Sequence, residues 1–171
     1  MNFFPGSILH DDGAYLAATI TAAERYGFDP HKLVIELTET EYVQDMDRLI
    51  KIVNHYRQRG LKFAIDDFGS GYAGLNLLAD LQPEQLKLDL RLIQGIDRAG
   101  PRQSIVSAIC DICLDLGITV LAEGVERVGE YEYLKNSGVD LLQGFLFAKP
   151  GFEHLPVVRV PGAMDQPGLA S

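Results

Sequence analysis

Seven residues able to do chemistry stand at or just past the ends of short apolar runs: Glu36, Asp66, Asp67, Lys87, Asp89, Glu123 and Gln143. One acidic residue after an apolar run is ordinarily a turn or helix-cap residue. Recurrence over five successive runs is not something that caps require. If those runs are strands of one parallel sheet, their carboxyl ends point toward a single face, where sites of α/β proteins are built. Three or four carboxylates on one face repel one another unless a cation sits among them, and oxygen ligands select Mg²⁺, Mn²⁺ or Ca²⁺. The adjacent pair Asp66 and Asp67 is informative, because side chains alternate along a strand and neighbours share a centre only where the strand is ending. One of the pair could then bridge two metals while the other binds the second. Two ions roughly 3.5–4 Å apart would clamp a phosphodiester and hold a hydroxide nucleophile. Lys87 would add a positive group for the phosphate or the attacking water. Gly69, Gly71 and Gly74 follow closely. They match no P-loop pattern, and read better as a mobile loop beside a metal site than as a phosphate cradle.

The elements that must position these residues follow from periodicity. The strand candidates are residues 33–38, 63–66, 86–89, 119–123 and 141–145, each bounded by Gly, Pro or a polar cluster. Helical patterns cover 14–26, 45–59, 103–116 and 128–137, and each is followed by a glycine: Gly27, Gly60, Gly117 and Gly138. Met46, Leu49, Ile50, Val53 and Tyr56 make the clearest apolar stripe. The polar strand ends are spaced 30 residues from Glu36 to Asp66, 21 to Lys87, 36 to Glu123 and 20 to Gln143. Those are ordinary lengths for βα units, so a parallel sheet with helices is expected.

Five motifs in order carry a family resemblance. Residues 33–39 resemble LxLEITE, and 66–72 resemble DDFGTGY with Ser70 in place of threonine. Residues 86–89 resemble IKID, 122–126 AEGVE, and 143–147 QGYLF, while Asn2 falls at an asparagine strand end. The sequence is thus similar to the EAL-domain family, the cyclic di-GMP phosphodiesterases of bacterial signalling. The resemblance implies an α/β, TIM-like (β/α) barrel that hydrolyses cyclic di-GMP to linear pGpG with two Mg²⁺ or Mn²⁺ ions. It implies Asn2, Glu36, Asp66, Asp67 and Glu123 as metal ligands, with Asp66 bridging. Lys87 and Asp67 are its catalytic candidates together with Glu39, whose part would be to anchor the Asp67–Tyr72 loop. Gln143 and Asp89 are the ligand-binding or supporting candidates, with Glu126 beside them. The match starts at the asparagine strand, and no Glu-Ala-Leu segment occurs in the 171 residues. The expected barrel is therefore incomplete, truncated at its N-terminal side, with about six of eight strands. The expected layout is a partial EAL domain over 1–150 and an irregular tail over 151–171. An open barrel would expose two strand edges and an apolar interior, which favours association with a second copy or with another EAL- or GGDEF-type protein. A catalytically inactive module that binds cyclic di-GMP or a protein is the alternative. A barrel metallohydrolase for a different phosphorylated substrate is a third reading.

Composition narrows the classes. Hydrophobic residues make up 47% and charged residues 23%, the balance of a globular domain with a core. The net charge of -9 argues against DNA as a partner and makes bound metal the natural way to attract an anion. No apolar run is long enough for a membrane span, no secretion signal opens the chain, and two cysteines suit a cytoplasmic protein. Cys110 and Cys113 share one face of the helical run 103–116 and are read as buried thiols, not a zinc or redox pair. His10, His31, His55 and His154 enter no nucleophile motif and are read as surface or capping residues. Arg57, Arg59 and Lys62 are read as structural.

Overall fold

The computed structural model describes residues 1–39, 43–71, 74–98 and 100–162. Six strands form one all-parallel sheet in sequence order: β1 (Asn2–Phe3), β2 (Val34–Thr38), β3 (Lys62–Phe68), β4 (Gln85–Leu88), β5 (Thr119–Ala122) and β6 (Leu141–Leu142). The helices between them are α1 (Pro5–His10), α2 (Ala14–Arg25), α3 (Met46–Arg57), α4 (Gly74–Leu81), α5 (Leu90–Ile93), α6 (Pro101–Leu116) and α7 (Val128–Asn136). The sheet does not close, and β1 and β6 are its two edges.

Strand β3 is an apolar run with a polar end, Phe63, Ala64 and Ile65 before Asp66 and Asp67, whereas β2 and β4 alternate apolar with polar residues along their length. Ile35, Leu37, Phe63, Ile65, Leu86, Leu88, Val120 and Ala122 are buried and join the core shared with the helices. The alternate row holds Val34, Glu36, Thr38, Ala64, Asp66, Gln85, Lys87, Thr119 and Leu121. That row mixes apolar and polar side chains, with its charged groups at Glu36, Asp66 and Lys87. A strand has period two, so a sheet covered by helices on one face presents its other row to a second environment.

The four anticipated helices form within two residues of their expected bounds. Gly27, Gly60, Gly117 and Gly138 after them all have positive φ, which glycine adopts without steric cost. Helices α1, α4 and α5 were not anticipated. Helix α4 starts at the glycine-rich stretch that reads as loop, yet buries Leu77, Leu78 and Leu81 against the core. Helix α5 is a single turn whose second amide, that of Arg91, donates to the Asp89 carboxylate that caps it. Strand β6 is shorter than expected, and the described chain after it runs to residue 162 without helix or strand.

Cys110 and Cys113 are buried and unpaired, and burial pushes both thiols up to about 11. The four histidines are exposed. Arg57 is structural: its guanidinium donates to Glu84 at 2.8 Å and to the Leu81 and Gln82 carbonyls at 3.0 and 2.7 Å, tying α3 to the turn before β4. No described helix is long and apolar enough to cross a membrane.

Glu130, only 2% exposed, ties down two of the turns that follow strands. Its carboxylate accepts from the amides of Gly95, Glu126 and Arg127 at 2.9–3.1 Å and from Arg127 Nε at 3.0 Å, while Arg127 also pairs with Asp97. Burial acts to raise its pKa, but these donors outweigh burial and hold it below the ordinary glutamate value of 4.5. A depressed carboxylate pKa gives stability that is present above the unfolded value and is lost as pH falls through the folded one. Urea unfolding is therefore expected to show Glu130→Gln less stable than the wild type by about 1–3 kcal/mol at pH 7. The gap should narrow as pH drops below 4.5, and a constant gap would mean that the charge is not what matters.

Candidate metal centre

The centre begins with an irregularity in β3. Ile65 pairs with Leu86 and Phe68 with Leu88, so three steps on β3 match two on β4. One extra residue is accommodated as a bulge, which places Asp66 and Asp67 against the single residue Lys87. Asp67 takes a positive φ of 56°, which aspartate tolerates better than most residues. The sequence could explain the adjacent pair only by ending the strand there. The strand instead continues to Phe68, and the bulge turns both carboxylates toward one centre.

Three elements converge on Lys87. Its Nζ lies 3.0 Å from Glu36 Oε1 on β2, 2.9 Å from Asp66 Oδ1 on β3, and 2.9 Å from Glu123 Oε1 just past β5. The lysine is 7% exposed and Asp66 8%, whereas Glu36 and Glu123 are half-buried at the rim. Burial acts to lower the lysine pKa, but the hydrogen bonds to the three carboxylates overcome it and hold the ammonium well above the ordinary lysine value. Asp67 goes the other way from a normal aspartate. Burial first, then the Asp66 and Asp89 charges, push its carboxyl up, and Lys87 and Arg91 only partly offset them. Oxygens of Asp66, Asp67 and Glu123 all lie within 4.8 Å of one another. Thr38, in register with Asp66, buries a hydroxyl without a partner among the described residues. An all-oxygen donor set of this size suits a hard divalent cation, so the residues present fit one.

The remaining sequence candidates lie around this group. Asn2 is exposed on β1, directly beside Glu36 in the sheet register. Asp89 spends one oxygen on the Arg91 backbone and guanidinium at 2.8 and 2.9 Å, capping α5. Gln143 is exposed just past β6, and its carbonyl accepts from Val125 at 3.0 Å. That crossing requires glycine at the next position: a Cβ on Gly144 would lie 2.1 Å from the Val125 carbonyl oxygen. Glu126 is exposed at the same turn, with its amide on Glu130. Glu39 is 3% exposed and its Oε2 accepts from the Gly69 amide at 2.7 Å and from Gly71 at 3.4 Å. Its carboxylate faces loop amides, and Tyr72, at the end of that loop, lies outside the described residues. Sequence reasoning missed Thr38 and Glu130. Thr38 differed in no way from other strand residues, and Glu130 follows its N-cap Arg127 by three residues without the Ser, Thr, Asp or Asn that marks a capping box in a sequence.

The comparisons with known proteins can now be set beside this geometry. The family described as EAL domain matches residues 2–150. The chain belongs to the EAL-domain family. It is 32% identical over 161 residues to the blue light- and temperature-regulated antirepressor BluF of Escherichia coli, covering 94% of this chain and 40% of that protein. The Escherichia coli cyclic di-GMP phosphodiesterase PdeR is 32% identical over 139 residues, 81% of this chain and 21% of that one. Among solved structures, a standalone EAL protein of Vibrio cholerae O395 in its c-di-GMP-bound form matches with 49% identity and a TM-score of 0.77, covering 82% of this chain and 60% of that one. Klebsiella pneumoniae BlrP1, in a manganese and cyclic di-GMP complex, matches with 40% identity and a TM-score of 0.82, covering 92% and 41%. The chain therefore spans about two fifths of BluF and three fifths of the Vibrio protein. The open six-stranded sheet is a partial TIM-like EAL barrel, since its structural neighbours are EAL domains.

The EAL scaffold makes the Glu39 contacts a direct test of how the loop after Asp67 is held. Glu39→Ala is expected to cost about 1–3 kcal/mol of stability and to speed hydrogen exchange at the Gly69 and Gly71 amides by at least tenfold. Glu39→Gln keeps an acceptor and should change exchange less. Unchanged exchange in the alanine variant would show that the loop is held by something else.

Proposed function

We propose that this site hydrolyses cyclic di-GMP with two divalent cations, Mg²⁺ or Mn²⁺, and yields the linear dinucleotide. The observation that carries the reading is the convergence of Glu36, Asp66 and Glu123 on Lys87, with Asp67 grouped beside Asp66 and Glu123, at the strand ends of an EAL barrel. It is supported by relatives named cyclic di-GMP phosphodiesterases and by neighbours solved with manganese and cyclic di-GMP. Asp66, Asp67 and Glu123 would hold the metals with Glu36 and Asn2 at the β1–β2 side. When bound, the metals would neutralise the phosphodiester and make a bound water more acidic. The protein's own contribution is geometric and electrostatic. The bulge holds two carboxylates at one spot without reorganisation, which is the source of pre-organised stabilisation. Lys87 would present its ammonium to a phosphate oxygen or orient the attacking water. Glu39 holds the Gly69 and Gly71 amides in place beside the site, and Gln143 and Asp89 would stand at its rim.

A second reading is a binding or protein-interaction module without turnover. BluF, whose match covers 94% of this chain, is named an antirepressor. Incubation with cyclic di-GMP and Mn²⁺ followed by chromatography separates the two readings. The first expects linear dinucleotide, with at least a 100-fold rate loss in Asp66→Asn. Calorimetric binding of cyclic di-GMP with no product at micromolar protein would establish the second.

A further inference from the structure

The turns that leave β4 and β5 enclose a second cavity, lined by none of the carboxylates of the metal centre. It measures about 520 Å³, and its walls include Gln94, Arg98, Arg102, Glu126, Arg127 and Glu130. Ligand pockets run from about 300 to 1,000 Å³, so a nucleotide-sized ligand fits. The cavity adjoins the centre along the chain: Glu126 follows Glu123 by three residues, and Gln94 follows Lys87 by seven. Three arginines on one cavity matter in a chain of net charge -9, which repels anions except where cations are gathered. Two of the three are held in place. Arg127 donates from Nε to Glu130 at 3.0 Å and pairs with Asp97. Arg102 donates from Nη1 to the Gln94 carbonyl at 3.0 Å. The Arg98 guanidinium has no partner among the described residues. A guanidinium carries five N–H donors, so most of the donors on this wall remain for a ligand.

The acidic groups do not cancel that charge. Asp97 and Glu130 are spent on Arg127 and on turn amides. Neither Arg98 nor Arg102 forms an ion pair among the described residues, and Glu126 is the remaining carboxylate on the wall. Two unpaired guanidinia against one carboxylate leave the cavity positive. Guanidinium forks match phosphate oxygens in a bidentate way, while Glu126 adds an acceptor for hydroxyl or amino groups beyond the phosphate.

We propose that this cavity binds the terminal phosphate monoester of a nucleotide, with Arg98, Arg102 and Arg127 on the phosphate and Glu126 on donors of the sugar or base. A phosphate monoester carries close to two negative charges at neutral pH, against one for a diester, so two unpaired guanidinia favour it. The ligand's source rests on the hydrolase reading above and deepens it. Opening a cyclic diester leaves one terminal phosphate, so the linear product carries the group that this cavity takes and the cyclic substrate lacks it. The cavity then holds product beside the centre that forms it.

The test is calorimetry on the whole chain in buffer containing a chelator, with GMP, guanosine and inorganic phosphate as probes, and ¹⁵N amide shifts to locate the contact. GMP is expected to bind at least about tenfold more tightly than guanosine or inorganic phosphate, and to shift the amides of Gly95, Arg98, Arg102 and Arg127. The double variant Arg98→Ala/Arg102→Ala should weaken GMP at least about tenfold and move Tm by less than about 3 °C, because both side chains are exposed. Lysine at both positions should recover part of the binding. GMP that binds no better than guanosine, or equally well to the double alanine variant, overturns the phosphate site. Inorganic phosphate that binds as tightly as GMP overturns a nucleotide as its ligand. Amide shifts confined to the surroundings of Glu36, Asp66 and Lys87 also overturn it, and the wild type alone carries that measurement. GMP bound in this cavity, in a chain that forms no linear dinucleotide, upholds the site and overturns the product as its source.

Discussion

The structure depends on one electrostatic constraint: acidic side chains from neighbouring strand ends must share a small space without driving the sheet apart. Lys87 meets it from the centre, at 2.9–3.0 Å from Glu36, Asp66 and Glu123. A buried ammonium and three carboxylates are stable only as a set, since each charge alone would carry a large desolvation cost. The all-parallel order of the sheet makes the set possible by carrying every strand's carboxyl end to one side. The bulge in β3 then adds Asp67, which a regular strand would have turned away.

The surrounding structure serves that arrangement. One row of strand side chains is buried under the helices and anchors the sheet, which frees the other row to carry charged groups. Two buried glutamates then organise the turns beyond the strands. Glu39 takes the amides of the glycine loop after Asp67, and Glu130 takes those of Gly95, Glu126 and Arg127. Gly144 allows the chain past β6 to lie against Val125. These contacts are structural in kind, yet each fixes backbone adjacent to a residue of the centre.

Much of this was legible in the sequence because it depends on local pattern. The apolar stripe of α3 and the glycines after four helices mark elements whose burial and termination are decided within a few residues. The polar residues at strand ends marked the centre for the same reason. The bulge was not legible, because it is a register relation between β3 and β4 and has no signature in β3 alone. Helix α4 was hidden because glycine is read as a breaker, whereas the burial of Leu77, Leu78 and Leu81 outweighs that propensity. The two-residue period was visible in Glu36 between Ile35 and Leu37, and it is what separates the charged centre from the core.

Membership of the EAL family and the geometry of the centre lead to one claim, that these carboxylates are held together for divalent cations. Anomalous diffraction from crystals of the chain grown with Mn²⁺ tests it most directly. The account predicts manganese peaks among Asp66, Asp67 and Glu123. A centre with no manganese at saturating concentration would contradict it.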